Sequence, residues 1–245
     1  MQRAAGCGSP GGHIPAPAGL PGLHGQAVPG EFVFSSFSLG SAWQEQLRAA
    51  VTPLVHGVAP LKVMGYGPDG ERGARPDRTA AVLVPVLDER EPRVLLTRRA
   101  DGLPQHAGQV SFPGGRAEPA DASAVHTALR EAFEEIGLPE SNVTPVGFLD
   151  RFDIISNYRI LPVVGLVKTP DQWLLDECEV AEVFSVPLSV AANRDKYQRR
   201  EYRRGDTRYV GHFMEWQGHT VWGATAAMLL NLGDRLMRHR PAESA

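Results

Sequence analysis

The sequence predicts an α+β protein, an α/β/α sandwich in which a mixed β-sheet lies between helices. Three observations carry this expectation. Short runs rich in β-branched residues fall into two groups, within residues 80–112 and within residues 146–186. Between the groups Val125, Leu129, Ala132, Phe133 and Ile136 recur at the spacing of one helix face, at about 100° per residue. After the second group, Met228, Leu229, Leu232 and Leu236 mark another helix within residues 222–238, with basic residues towards its end.

Taken in order, residues 1–30 are rich in Gly, Pro and Ala with few charges and read as a disordered tail, leaving residues 31–245 for the folded domain. Ser41 can cap a helix that runs to Val51 through Trp43 and Leu47, a helical extension before the core. Residues 66–78 form a turn-rich connector. Ala80 to Leu87 and Arg93 to Thr97 should pair antiparallel across a DEREP turn, and Gln109 to Phe112 adds a third strand. The helix that follows starts directly after a strand, capped by Asp121 or Ser123, and is pinned against the sheet. Val146 to Phe152, Arg159 to Val167 and Glu179 to Val186 read as further strands, the second apolar enough to be central.

Composition excludes several function classes. The formal net charge of −3 argues against a general nucleic-acid binder, which needs a basic surface to displace counterions. One basic stretch, KYQRREYRRGDTR at 196–208, is interleaved with Tyr197 and Tyr202. Its Gly-Asp turn and flanking aromatics fit a solvated hairpin better than a site for substrate phosphates. No run approaches the roughly 20 apolar residues of a membrane span, and no secretory leader is recognisable, so the expected location is cytoplasmic. Cys7 and Cys178 suggest neither a disulfide framework nor a metal site.

The chemistry concentrates at the end of the first core helix. Glu131, Glu134 and Glu135 lie beside its apolar stripe, with Arg130 next to Glu134, so three carboxylates are expected to converge. Gly137 and Pro139 stop the helix there, and acids near its C-terminus oppose the macrodipole at about 0.3–1 kcal/mol each. A divalent cation reverses that sign, and Mg²⁺ suits carboxylate oxygens supplemented by water and substrate phosphate. Before the helix, FPGG at 112–115 supplies a backbone able to turn tightly and bring a carbonyl close to an ion.

Here the sequence resembles the Nudix hydrolases, whose signature is Gly, five residues, Glu, seven residues, then REUxEExGU with U aliphatic. REAFEEIGL at 130–138 matches the second half. The first half departs from it: Gly115 lies one residue too far from Arg130, and Ala122 stands where the first Glu belongs, with Asp121 and Glu118 the nearest acids. The segment LLTRRADGLPQHAGQVSFPGGR at 95–116 resembles the extra motif of the coenzyme A pyrophosphatase subfamily, roughly LLTxRS, a spacer, then HxGQVxFPGG.

The resemblance implies a Nudix fold and a pyrophosphohydrolase. Glu131, Glu134, Glu135 and the Gly115 carbonyl would bind Mg²⁺ or Mn²⁺, and Arg130 would orient Glu131. It further implies that His106, Gly108 and Gln109, with Arg98 and Gly114, contact the substrate and select coenzyme A. The general base stays open among a helix carboxylate, Glu179, and behind it Glu177 or Glu182. The expected reaction gives 3′,5′-ADP and 4′-phosphopantetheine, on a small-molecule diphosphate and without nucleic acid or membrane, with room for a homodimer. Two alternatives stand beside it: the same chemistry on ADP-ribose or NADH, and a binding protein that keeps the pocket as a sensor.

Overall fold

A computed structural model describes residue 39 and residues 42–54, 63–65, 78–154, 158–204 and 207–239. The tail at 1–30, the capping role of Ser41, the connector at 66–77 and the Gly205–Asp206 turn lie outside the described residues. The helical elements are α1 (Trp43–Ala50), α2 (Ala124–Ile136), α3 (Leu188–Ala191) and α4 (Gly223–Arg238). The strands are β1 (Val63–Gly65), β2 (Arg78–Leu87), β3 (Arg93–Arg99), β4 (Val110–Ser111), β5 (Gly114–Arg116), β6 (Val143–Phe148), β7 (Arg151–Ile154), β8 (Tyr158–Val167), β9 (Val180–Pro187), β10 (Gln198–Arg204), β11 (Thr207–Trp216) and β12 (His219–Val221).

At the centre β2 and β8 run parallel over their whole length, from Arg78 opposite Tyr158 to Leu87 opposite Val167. Both are buried on both faces, which is why their sequences are nearly continuous apolar runs. β3 pairs antiparallel with β2 across the expected turn, β9 with β3, and β6 and β7 with β8, giving a mixed nine-stranded sheet among the described residues. β10, β11 and β12 form a separate antiparallel meander.

Strand alternation sends side chains to two cores. On one face Ala81, Leu83, Leu95 and Val163 pack against Ala128, Leu129, Ala132 and Ile136 of α2. On the other, Val84, Val86, Leu96 and Val164 meet Leu47 of α1 and Met228, Leu229, Leu232 and Leu236 of α4. The α/β/α sandwich follows from this division. Among the described residues no helix is long and apolar enough to cross a membrane.

Two expectations change. The FPGG glycines do not only turn: Gly114 and Gly115 continue as β5, pairing with Val82 and Ala81 of β2. The strand expected at 146–152 is two strands, broken at Leu149–Asp150. The break has a cause, since the Asp150 N–H donates to the Asn231 amide oxygen at 3.2 Å and its carboxylate accepts from Asn231 at 2.8 Å and Arg235 at 2.7 Å. Arg235 also donates to the Ala50 carbonyl at 2.9 Å, so one buried network ties the α1 end, the β6–β7 break and α4. Asp150→Ala would leave the Arg235 cation without its acid partner. The expected loss is about 3 kcal/mol, read as a lower denaturant midpoint with unchanged m-value.

Candidate active site

α2 begins at Ser123, whose hydroxyl accepts the His126 N–H at 3.2 Å, and ends at Gly137 in the left-handed conformation, φ 67°. The Gly137 N–H returns to Phe133 O and the Leu138 N–H to Ala132 O, a Schellman-type stop. The helix lies across β5, so its last two turns face the two glycines.

That placement rotates the helix from the expected stripe. Phe133 is 57% exposed, whereas Glu135 is only 4% exposed. Glu135 accepts the Gly114 N–H at 3.2 Å. Glu131, one turn earlier on the same face, lies over Gly115, where a Cβ would stand 2.5 Å from its carboxylate and push it out of place. Glu134 points elsewhere, its side chain 49% exposed and bonded to Arg130 at 2.9 Å. Instead of three converging carboxylates, the free protein has two against β5 and one at the rim.

Arg130 is fully engaged. Its Nε and Nη2 grip both oxygens of Asp121 at 3.0 Å each, Nη1 reaches Glu131 at 3.0 Å as well as Glu134, and Nη2 also donates to the Arg116 carbonyl. Of the two acids nearest the signature's missing Glu, Asp121, its side chain 3% exposed, is the one that Arg130 grips, and Glu118 is exposed. The Arg130 guanidinium, with Thr127 Oγ1 and the Glu118 N–H, holds the Asp121 carboxyl well below the usual carboxylate range. Arg130 touches Glu131 as expected, but its bidentate partner is Asp121.

Burial raises the carboxyls that face β5. Glu135 is pushed up to about 8 by desolvation, against the opposing Gly114 N–H, with the Glu131 and Glu179 charges adding to the rise. Glu131 is raised by the same cause, offset in part by Arg130. Glu179, just before β9, thus acts electrostatically on both helix acids. Glu182 is turned away, near Arg98 at 3.7 Å and His219 at 3.5 Å, and Glu177 is exposed in the turn before Glu179.

The neighbouring arginines of LLTRR separate by strand parity. Arg98 shares the face of Val94 and Leu96 and pairs with Asp101 at 2.8 Å, away from the helix acids. Arg99 shares the face of Leu95, beneath α2, and its positive charge opposes the rise at Glu135. Its Nε is buried without a hydrogen-bond partner, an orphaned donor beside the carboxylates. Sequence reading named Arg98 and missed Arg99, although the alternation Leu95, Thr97, Arg99 was available. His106 and Gln109 are paired with each other, Nδ1 to Oε1 at 3.0 Å, in a loop closed by Gly108 N–H to Arg99 O and Arg99 N–H to Gln109 O. His106 and Gly108 both have positive φ, 58° and 67°, so the loop turns back to the strand end that carries Arg99.

The donor set fits an open site for a hard divalent cation. Two part-buried or buried carboxylates stand together with Glu179 acting on them, the nearest arginine is already committed, and the excess is negative. Among the described residues no three acidic, histidine or cysteine side chains are close enough to enclose an ion alone.

A mixed sheet lies between helices, with two glutamates of one helix laid against a glycine strand. Comparison with known proteins gives the family. Residues 77–205 match the NUDIX domain. The chain is 41% identical over 172 residues to an uncharacterized Nudix hydrolase, NudL, of Pectobacterium atrosepticum, covering 69% of this chain and 90% of that protein. It is 41% identical over 157 residues to the same-named protein of Yersinia enterocolitica, covering 64% and 80%. The chain belongs to the Nudix family. Similar solved structures include a C. elegans Ap4A hydrolase, 20% identical over 45% of this chain and 80% of that one, TM-score 0.38. Another is a MutT/nudix family protein from Enterococcus faecalis, 16% identical over 69% and 64%, TM-score 0.41.

Proposed function

We propose that this chain is a metal-dependent hydrolase that cleaves the pyrophosphate of coenzyme A or its derivatives into 3′,5′-ADP and 4′-phosphopantetheine. The observation that carries the hydrolase reading is the placement of Glu131 and Glu135 side by side against the glycine strand, Glu135 buried on the Gly114 N–H and Glu131 sharing Arg130 with Asp121 and Glu134. Glu131, Glu135 and the Gly115 carbonyl would hold Mg²⁺ or Mn²⁺, joined by Glu134, the most exposed of the three acids. A bound cation neutralises phosphate oxygens and lowers the pKa of water. Arg130, anchored on Asp121, fixes the Glu131 rotamer. Arg99 offers a donor to a phosphate oxygen from the sheet side, in place of the role expected of Arg98. Glu179, whose charge is felt by both helix acids, is the best placed general base.

What supports coenzyme A is the 95–116 motif, whose parts are joined in the fold: the His106–Gln109 loop is bonded to Arg99, β4 pairs with Thr97 and Arg98 of β3, and β5 follows on β3's other neighbour, β2. The domain of this proposal spans residues 31–245, with the 1–30 tail taking no part. The test is hydrolysis of coenzyme A, dephospho-coenzyme A, NADH and ADP-ribose, with Mg²⁺ and after chelation. Coenzyme A is expected to have the highest kcat/KM, and chelation should abolish turnover. ADP-ribose or a dinucleotide leading by roughly tenfold would overturn the coenzyme A assignment and keep the hydrolase. No hydrolysis of any of them with metal present would favour the sensor.

A further inference from the structure

The connection from Lys168 to Cys178 has no regular structure over most of its length, yet it is fastened to the end of α2 by its backbone. The Leu174 N–H donates to Ile136 O at 3.2 Å and the Asp176 N–H to Glu135 O at 3.0 Å. These are carbonyls that a helix C-terminus leaves unsatisfied. Gly137 makes the approach close: a Cβ there would stand 2.6 Å from Leu174 Cβ and 3.0 Å from its carbonyl oxygen.

From that anchor, one residue shapes the chain into β9. The Asp176 carboxylate accepts the Cys178 N–H at 3.0 Å, and its carbonyl accepts both the Glu179 N–H at 2.9 Å and the Val180 N–H at 2.8 Å. Three successive amides therefore converge on Asp176. Glu179 in turn accepts the Ala100 N–H on its carbonyl at 2.9 Å, which ties it to the residue after Arg99. Glu179 thus sits where the end of the acid-bearing helix, the end of β3 and the start of β9 are joined, and its charge acts on Glu131 and Glu135.

We infer that Asp176 is a positioning residue, holding Glu179 at a fixed distance from the helix carboxylates through the turn it organises. This rests on the reading of Glu179 as general base. The Asp176 carboxylate is spent on a backbone amide two residues ahead, as in an Asx turn, so its role is geometric. An asparagine keeps that acceptor oxygen; an alanine does not.

The test compares Asp176→Ala, Asp176→Asn and Glu179→Gln in the full chain. Asp176→Ala should lower kcat about tenfold with KM changed less than about twofold, because misplacing a catalytic group acts on the chemical step. Asp176→Asn should restore kcat to within about twofold of wild type. In the Asp176→Ala background Glu179→Gln should add much less than it does alone. A second readout needs no metal or substrate: amide exchange at Cys178, Glu179 and Val180 should quicken in the alanine variant and not in the asparagine variant. Unchanged exchange in the alanine variant overturns the inference, as does equal loss of kcat in both variants, which would indicate charge and not the turn. Full turnover by Glu179→Gln defeats the general-base reading itself, and quickened exchange in that case shows that the turn exists but serves no catalytic group.

Discussion

Glu135→Gln is expected to lower turnover at saturating Mg²⁺ by roughly a hundredfold or more while leaving the metal-free protein at least as stable as the wild type. The activity loss follows from removing a ligand oxygen charge at the proposed cation site. The stability effect follows from burial. Glu135 is raised from its ordinary value of 4.5 to about 8 by desolvation. Between those pH values the folded protein holds the proton more tightly than the unfolded chain, so this group's contribution to stability falls as pH rises. One pKa unit corresponds to about 1.4 kcal/mol, so the penalty in metal-free protein at neutral pH is a few kcal/mol at most. Glutamine keeps an oxygen for the Gly114 N–H and carries no charge, so the pH dependence between 4.5 and 8 should flatten in the variant. Chemical denaturation in chelator across that window measures it. Added Mg²⁺ should raise the midpoint of the wild type most at pH 8 and that of the variant little. A variant with full turnover, or one whose metal-free pH profile matches the wild type, would remove Glu135 from the site.

The core was legible because its periods are simple. β2 and β8 read as buried strands, and Met228, Leu229, Leu232 and Leu236 all face the core as their spacing requires. The rotation of α2 was not legible. A wheel ranks Phe133 above Glu135 for burial, and nothing in the helix itself reveals that β5 and the 168–178 connection meet its last turn. Ala128, Leu129, Ala132 and Ile136 fill the core face, with Glu135 on its flank held by the Gly114 N–H, and Phe133 is left outside. Asp121 was hidden for another reason: an extra residue between Gly115 and Arg130 shifts the acid out of the signature's register. The Arg130 fork finds it in space at 3.0 Å. Arg98 and Arg99 were within reach of sequence reasoning, since one strand cannot present two adjacent side chains to the same face.

Substrate choice should respond to the loop and not to the acids. A cation site on a diphosphate cannot see what the diphosphate carries, so any preference for coenzyme A must come from groups contacting its distant parts. His106 is exposed and Gln109 half-buried; they are paired with each other at 3.0 Å, in a loop held by backbone bonds to Arg99. Both side chains are therefore available to exchange their mutual bond for one to a ligand without disturbing the loop's closure. A lost hydrogen bond to a charged group costs about 1.5–3 kcal/mol, so His106→Ala or Gln109→Ala should lower the ratio of kcat/KM for coenzyme A over ADP-ribose roughly ten- to a hundredfold. Because each residue is the other's partner in the free protein, the double variant should lose less than the product of the two single losses. Hydrolysis of ADP-ribose itself should change little. An unchanged ratio in both single variants, with coenzyme A still preferred, would move recognition off this loop and onto another surface around the diphosphate.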